Sequence, residues 1–167
     1  SRARLEQALA ADQDNAIIFA DTVQGEELAR LEAFSNDLIE ALISIGVPPC
    51  PGGIMAKNAD WRRSLGDWQK QLARWMGTPT PDNILACSTF IDLRTAYGSP
   101  RFEEALKLQI YGQSDSNNLF LLRMVEGGLR FTPPIGWFGK IKGESGGEHS
   151  GELETKKAGI FAITDGI

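Results

Sequence analysis

Two acidic residues near the start of the chain and one near its middle are the side chains best suited to do chemistry. Asp12 and Asp14, separated by Gln13, lead into the apolar run Ala16-Ile17-Ile18-Phe19-Ala20. On an extended chain residues two apart project to the same side, so the two carboxylates can hold one cation between them. Such an oxygen-only pair suits Mg²⁺, a hard ion that completes its shell with water and substrate phosphates. The same three residues also read as a polar turn that merely opens a strand. Asp92 lies in a second apolar run, Thr89-Phe90-Ile91-Asp92-Leu93. An acid there is costly to bury without a cation or donors, and Arg94 is the nearest candidate for an ion pair.

The surroundings remove several alternatives. In phosphatases with an aspartyl nucleophile the apolar strand precedes the acids, whereas here it follows them and Asn15 comes next. An EF-hand loop would need Asp or Asn at its fifth position and Gly at its sixth, where this chain has Ala16 and Ile17. Cys50 and Cys87 are too far apart for a CxxC or another zinc spacing, and both are expected to be reduced structural thiols. His149, the single histidine, sits in a Gly-rich polar stretch with no second ligand beside it and reads as a solvated loop residue.

The segments Ser1-Arg2-Ala3-Arg4-Leu5-Glu6-Gln7, Asp12-Gln13-Asp14-Asn15, Pro49-Cys50-Pro51-Gly52-Gly53-Ile54-Met55-Ala56-Lys57-Asn58, Trp61-Arg62, Phe90-Ile91-Asp92-Leu93-Arg94 and Pro133-Pro134-Ile135-Gly136-Trp137-Phe138 follow one another along the whole chain. In that order they resemble a bacterial family of polymerase-beta-like nucleotidyltransferases, similar to the GlnD-type uridylyltransferases. Its members often carry CBS or cyclic-nucleotide-binding domains upstream. The block from Pro49 to Asn58 is the most specific part of the match.

The resemblance implies an α/β (α+β) fold: a polymerase-beta-like core with a small mixed sheet flanked by helices, then a mostly helical C-terminal half. It implies transfer of a nucleoside monophosphate from an NTP to an acceptor hydroxyl, with Mg²⁺ or Mn²⁺ as cofactor. Asp12 and Asp14 would hold the metal. Asp92 would join them as the third carboxylate, for a second metal or for the acceptor proton. Ser1 and Arg4 would steady the phosphates, and Lys156, in Glu154-Thr155-Lys156-Lys157, would either reach a phosphate or be a surface lysine. The implied partners are the NTP, an acceptor protein or small molecule, and upstream regulatory domains. The alternative is a nucleotide-binding regulatory module without turnover. The family's turn is Gly-Ser preceded by a strand, so a chain starting at Ser1 is expected to lack both, and Leu5 stands where Gly is usual. The C-terminus is expected to be cut short in the same way.

Composition agrees with one soluble domain or most of one. At 167 residues and 42% hydrophobic, the chain can bury a sizeable core. No apolar run approaches the ~20 residues of a membrane span, and no signal-peptide h-region opens the chain, so the expected location is cytoplasmic. A net charge of −5 argues against a broad nucleic-acid-binding face.

Several elements must position these residues. Leu28, Leu31, Leu38, Leu42 and Ile45 mark an amphipathic helix over 26–45, packed on the sheet, with Gly46 just past its end. Pro48 to Gly53 is a loop, either punctuation or a lid near the site. Trp61, Leu65, Trp68, Leu72 and Trp75 step by four, three, four and three, which predicts a core-facing helix with Asp60 as N-cap and Gly77 as its stop. Ala86 to Leu93, with Cys87 inside it, is read as a second buried strand. Helices follow over 101–112 and 117–131, and a Gly-rich mobile loop over 140–151. The expected division is a transferase core at 1–98 and a helical part at 99–167.

Overall fold

A computed structural model describes residues 13–128 of the chain. Ser1, Arg4, Asp12, His149, Lys156, the 140–151 loop and the Pro133 to Phe138 segment lie outside the described residues. The described part is an α/β structure in which a small parallel sheet is flanked by helices and the second half is helical.

Strand β1 (Ile17–Phe19) pairs in parallel with β2 (Arg62–Ser64), with Ile18 opposite Arg63. Helix α1 (Glu26–Ser44) makes the crossover between them. Glu26 and Glu27 in its first turn complement the helix dipole. Its end is a Schellman motif: Gly46, at φ 89°, donates to Ile43 O at 3.0 Å, and Val47 donates to Leu42 O at 3.0 Å. The glycine just past the helix is thus used as the sequence predicts. The helix does not lie broadly on the sheet. It buries a narrow line at Ser35 and Ile39, where Ile39 packs with Cys50, Met55 and Ile54, and it reaches β2 through Arg62.

The tryptophan stripe is core, as the spacing implies, but the helix carrying it starts later than Asp60. Trp61 closes a 3-10 turn, residues 62–64 are spent on β2, and α2 (Leu65–Gly77) begins under Ser64, whose hydroxyl accepts from Asp67 N at 3.2 Å. Trp68, Leu72 and Met76 are fully buried, and Trp61 and Trp75 pack against them. The Trp68 ring lies 4.6 Å from Phe90, and its indole N–H donates to Ile17 O at 3.2 Å, which ties α2 to β1.

The strand expected over Ala86 to Leu93 is instead the last two turns of helix α3 (Pro81–Ile91). Local chemistry explains the correction. Thr80 caps Asn83 N, Pro81 supplies a preset φ in the first turn, and Ser88 and Thr89 return their hydroxyls to the carbonyls of Ile84 and Leu85 at 2.9 and 3.0 Å. The buried residues Ile84, Cys87 and Phe90 are three apart, a helical spacing, not the alternation of a strand. Asp92 therefore sits at the C-terminal end of a helix. Helices α4 (Arg101–Ser114) and α5 (Asn118–Gly128) complete the core through Leu106, Ile110 and Phe120. Among the described residues no helix is long and apolar enough to cross a membrane.

Candidate functional site

Asp14 lies three residues before β1, and both of its neighbours are fixed. Gln13 is turned inward, 7% exposed, and bridges to Pro49; its backbone N–H donates to Pro48 O at 3.1 Å. Asn15 N–H donates to Ile54 O at 3.0 Å. The Asn15 side chain uses both ends: Oδ1 accepts from Ala56 N at 2.8 Å and Nδ2 donates to Gln13 Oε1 at 3.0 Å. Between these anchored residues the Asp14 side chain is exposed.

The partner of this segment is the Pro-Cys-Pro-Gly-Gly loop. Gly53 N–H donates to Cys50 O at 3.0 Å, Met55 N–H to Gly53 O at 2.8 Å, and the Asn58 amide also donates to Gly53 O. Gly53 adopts φ 70°, which favours glycine, and a Cβ there would stand a tight 3.2 Å from Asn58 Nδ2. Cys50, at the start of this loop, is buried beside Ile39 and Met55. Burial first, and then the negative charge of Asp14, push its thiol upward from the ordinary pKa. Both effects disfavour a soft thiolate at Cys50.

Behind the loop lies Arg62, buried in β2. Its Nη1 donates to Ala56 O at 2.8 Å, Lys57 O at 2.9 Å and Ser35 Oγ at 3.1 Å, and its Nη2 lies 3.5 Å from Glu32. Ala56 is consequently held at both of its backbone groups, by Asn15 at its N–H and by Arg62 at its carbonyl.

Asp92 is half-buried, two residues after Phe90, which packs on the same Trp68 that donates to β1. Past it, Thr95 N–H donates to Glu103 Oε2 at 2.6 Å, and Lys107 Nζ lies 2.7 Å from Glu103 Oε1. Among the described residues no three His, Cys, Asp or Glu side chains come together as a metal site. What those residues do offer a divalent cation is the hard, solvent-facing carboxylate of Asp14. A carboxylate is a hard oxygen donor, the class of ligand that Mg²⁺ and Mn²⁺ take. A cleft of about 400 Å³, lined by Phe19, Val23, Glu27, Arg30, Leu31 and Phe34, opens at the opposite, carboxyl end of β1 and does not include Asp14.

Cys50, Asn15 and Arg62 were not marked as site residues by motif reasoning. Their signal was present in the Pro49 to Asn58 block and the Trp61-Arg62 pair, but it gains meaning only when the fold brings these segments to Asp14.

Residues 1–82 match the family model described as "Putative nucleotidyltransferase DUF294", and residues 118–167 match the one described as "Putative nucleotidyltransferase substrate binding domain". Asp12, Asp14 and the Pro49 to Asn58 block fall in the first match and Lys156 in the second, while Asp92 falls between them. No curated protein and no solved structure matches the chain.

Proposed function

We propose that this chain, which belongs to a nucleotidyltransferase-like family, transfers a nucleoside monophosphate from an NTP to a hydroxyl group on a protein or small molecule. The observation that carries the reading is the solvent-facing Asp14 carboxylate, held before β1 in the Asp12-Gln13-Asp14 motif by hydrogen bonds on either side of it. Asp12 and Asp14 would hold the divalent metal, which when bound supplies positive charge against the triphosphate.

The remaining work falls to the chain's own groups. Ser1 and Arg4 bind phosphate oxygens, and Lys156 is a further cation for them. The acceptor oxygen attacks the α-phosphorus, the bond from that phosphorus to the bridging oxygen breaks, and pyrophosphate leaves. Asp92 takes the acceptor proton. The acidic balance of the chain, −5, supports a protein or small-molecule acceptor over a nucleic-acid end. Uridylyl or adenylyl transfer in signalling, under upstream CBS or cyclic-nucleotide-binding domains, is the setting we assign to it. Within the chain, residues 1–98 carry the transfer chemistry and 99–167 shape the acceptor pocket, a division supported by the substrate-binding description of the second match.

The test is equilibrium dialysis of each of the four NTPs with Mg²⁺ against the protein and its Asp12→Asn/Asp14→Asn variant. Metal-dependent binding that the variant loses is expected. Binding that survives in the variant would overturn the metal assignment.

A further inference from the structure

We infer that Asn15 is a positioning residue for Asp14, working through Ala56 and backed by Arg62. This inference rests on the role proposed for Asp14 but concerns a residue to which that role assigns nothing. Asn15 is the only side chain adjoining Asp14 in sequence that reaches across to the 50–58 loop: its Oδ1 takes the Ala56 N–H at 2.8 Å, its Nδ2 braces Gln13 at 3.0 Å, and its own N–H meets Ile54 O at 3.0 Å. The Ala56 carbonyl is pinned by the buried guanidinium at 2.8 Å. Ala56 is itself 0% exposed, so neither of its polar groups has water as an alternative partner.

A residue held at both of its backbone groups cannot drift, and the loop it belongs to runs back through the buried Cys50 to Pro48, whose carbonyl accepts from Gln13 N–H at 3.1 Å. Asp14 is therefore held by a closed path: Asp14 to Asn15 by the chain, Asn15 to Ala56 by a hydrogen bond, Ala56 back through Cys50 to Pro48 by the loop, Pro48 to Gln13 by a backbone hydrogen bond, and Gln13 to Asp14 by the chain. Cutting the path at Asn15 frees Asp14 and uncovers the Cys50 thiol together. The hydrophobic core at Trp68 and Cys87 is a separate cluster, so it has no part in the path.

The full chain is compared with Asn15→Ala, which removes both side-chain bonds, and with Asn15→Asp, which keeps the acceptor for Ala56 N–H. Two readouts are taken: the N-ethylmaleimide modification rate at each cysteine, resolved by peptide mass spectrometry, and the affinity for Mn²⁺ alone, by electron paramagnetic resonance. Asn15→Ala is expected to speed modification of Cys50 at least tenfold with Cys87 unchanged, and to weaken Mn²⁺ binding at least fivefold. Asn15→Asp is expected to restore Cys50 protection. Equal acceleration at Cys87 would make Asn15 a general stability residue and overturn the inference, as would an unchanged Cys50 rate. Absence of Mn²⁺ binding by the unaltered chain would overturn the role of Asp14 itself, while the cysteine rates still report on the closed path.

Discussion

Replacing Arg62 by Met tests how much of the site's rigidity comes from one buried cation. Met fills much of the same volume but donates nothing, so the effect resides in the three acceptors at 2.8, 2.9 and 3.1 Å. They are not equivalent. Lys57 is exposed and its carbonyl can turn to water, and the Ser35 hydroxyl keeps Leu31 and Glu32 carbonyls as partners at 3.0 and 2.8 Å. Glu32 is 61% exposed and is not stranded. The Ala56 carbonyl, in a residue 0% exposed, is left without its cationic donor, which costs about 1–3 kcal/mol. The lost charge-assisted bonds add to this, and relief of the buried guanidinium's desolvation offsets part of the sum. The net loss is about 3 kcal/mol, which for a chain of this size lowers Tm by roughly 6–12 °C. Urea denaturation followed by far-UV circular dichroism measures it. A loss under about 1 kcal/mol with native secondary structure would show that the guanidinium's burial cost cancels its bonds, and would refute the reasoning that Arg62 holds the loop.

Other outcomes follow from the same contacts. Glu103, held by Lys107 first and then by Thr95, has its pKa lowered to about 2; its contribution is present above the ordinary value and is lost as pH falls from about 4.5 toward about 2. Glu103→Gln should flatten that acid limb of a pH-stability curve and cost about 1–2 kcal/mol at neutral pH, and an unchanged limb would contradict it. Trp68→Phe removes the donor to Ile17 O from a fully buried ring and should cost about 2–3 kcal/mol by guanidinium denaturation; a cost near zero would mean that α2 is not fastened to β1 there. Burial pushes the Cys87 thiol to about 12, so iodoacetamide at pH 8 should leave it unmodified until denaturant is added. Modification in the native protein would place it outside the core.

What could be read from the sequence was governed by how local the determining interactions are. The crossover helix and its glycine stop, the tryptophan core and the two later helices follow from periodicity and caps within a few residues of each other. The failures are instructive. Thr89-Phe90-Ile91 reads as strand on β-branched and aromatic content, but the Thr80-Pro81 cap eight residues earlier starts a helix that runs through it. Asp60 resembles an N-cap, but the pairing of residues 62–64 with β1 claims the segment first and moves the start to Ser64. At the site, Asp14 is proposed from its spacing to Asp12 together with the family resemblance. The parts that Asn15 and Arg62 play were not legible in the sequence, because their contacts reach across 41 and 5 to 30 positions of chain, which no local pattern encodes.

The most direct test of the account is pyrophosphate release from each of the four NTPs with Mg²⁺, with candidate hydroxyl acceptors, comparing the chain with its Asp14→Asn variant. The account predicts acceptor-dependent release with at least one nucleotide and a fall of at least a hundredfold in the variant, whose fold by circular dichroism is unchanged. Equal release from the two proteins would show that transfer does not depend on the Asp14 carboxylate.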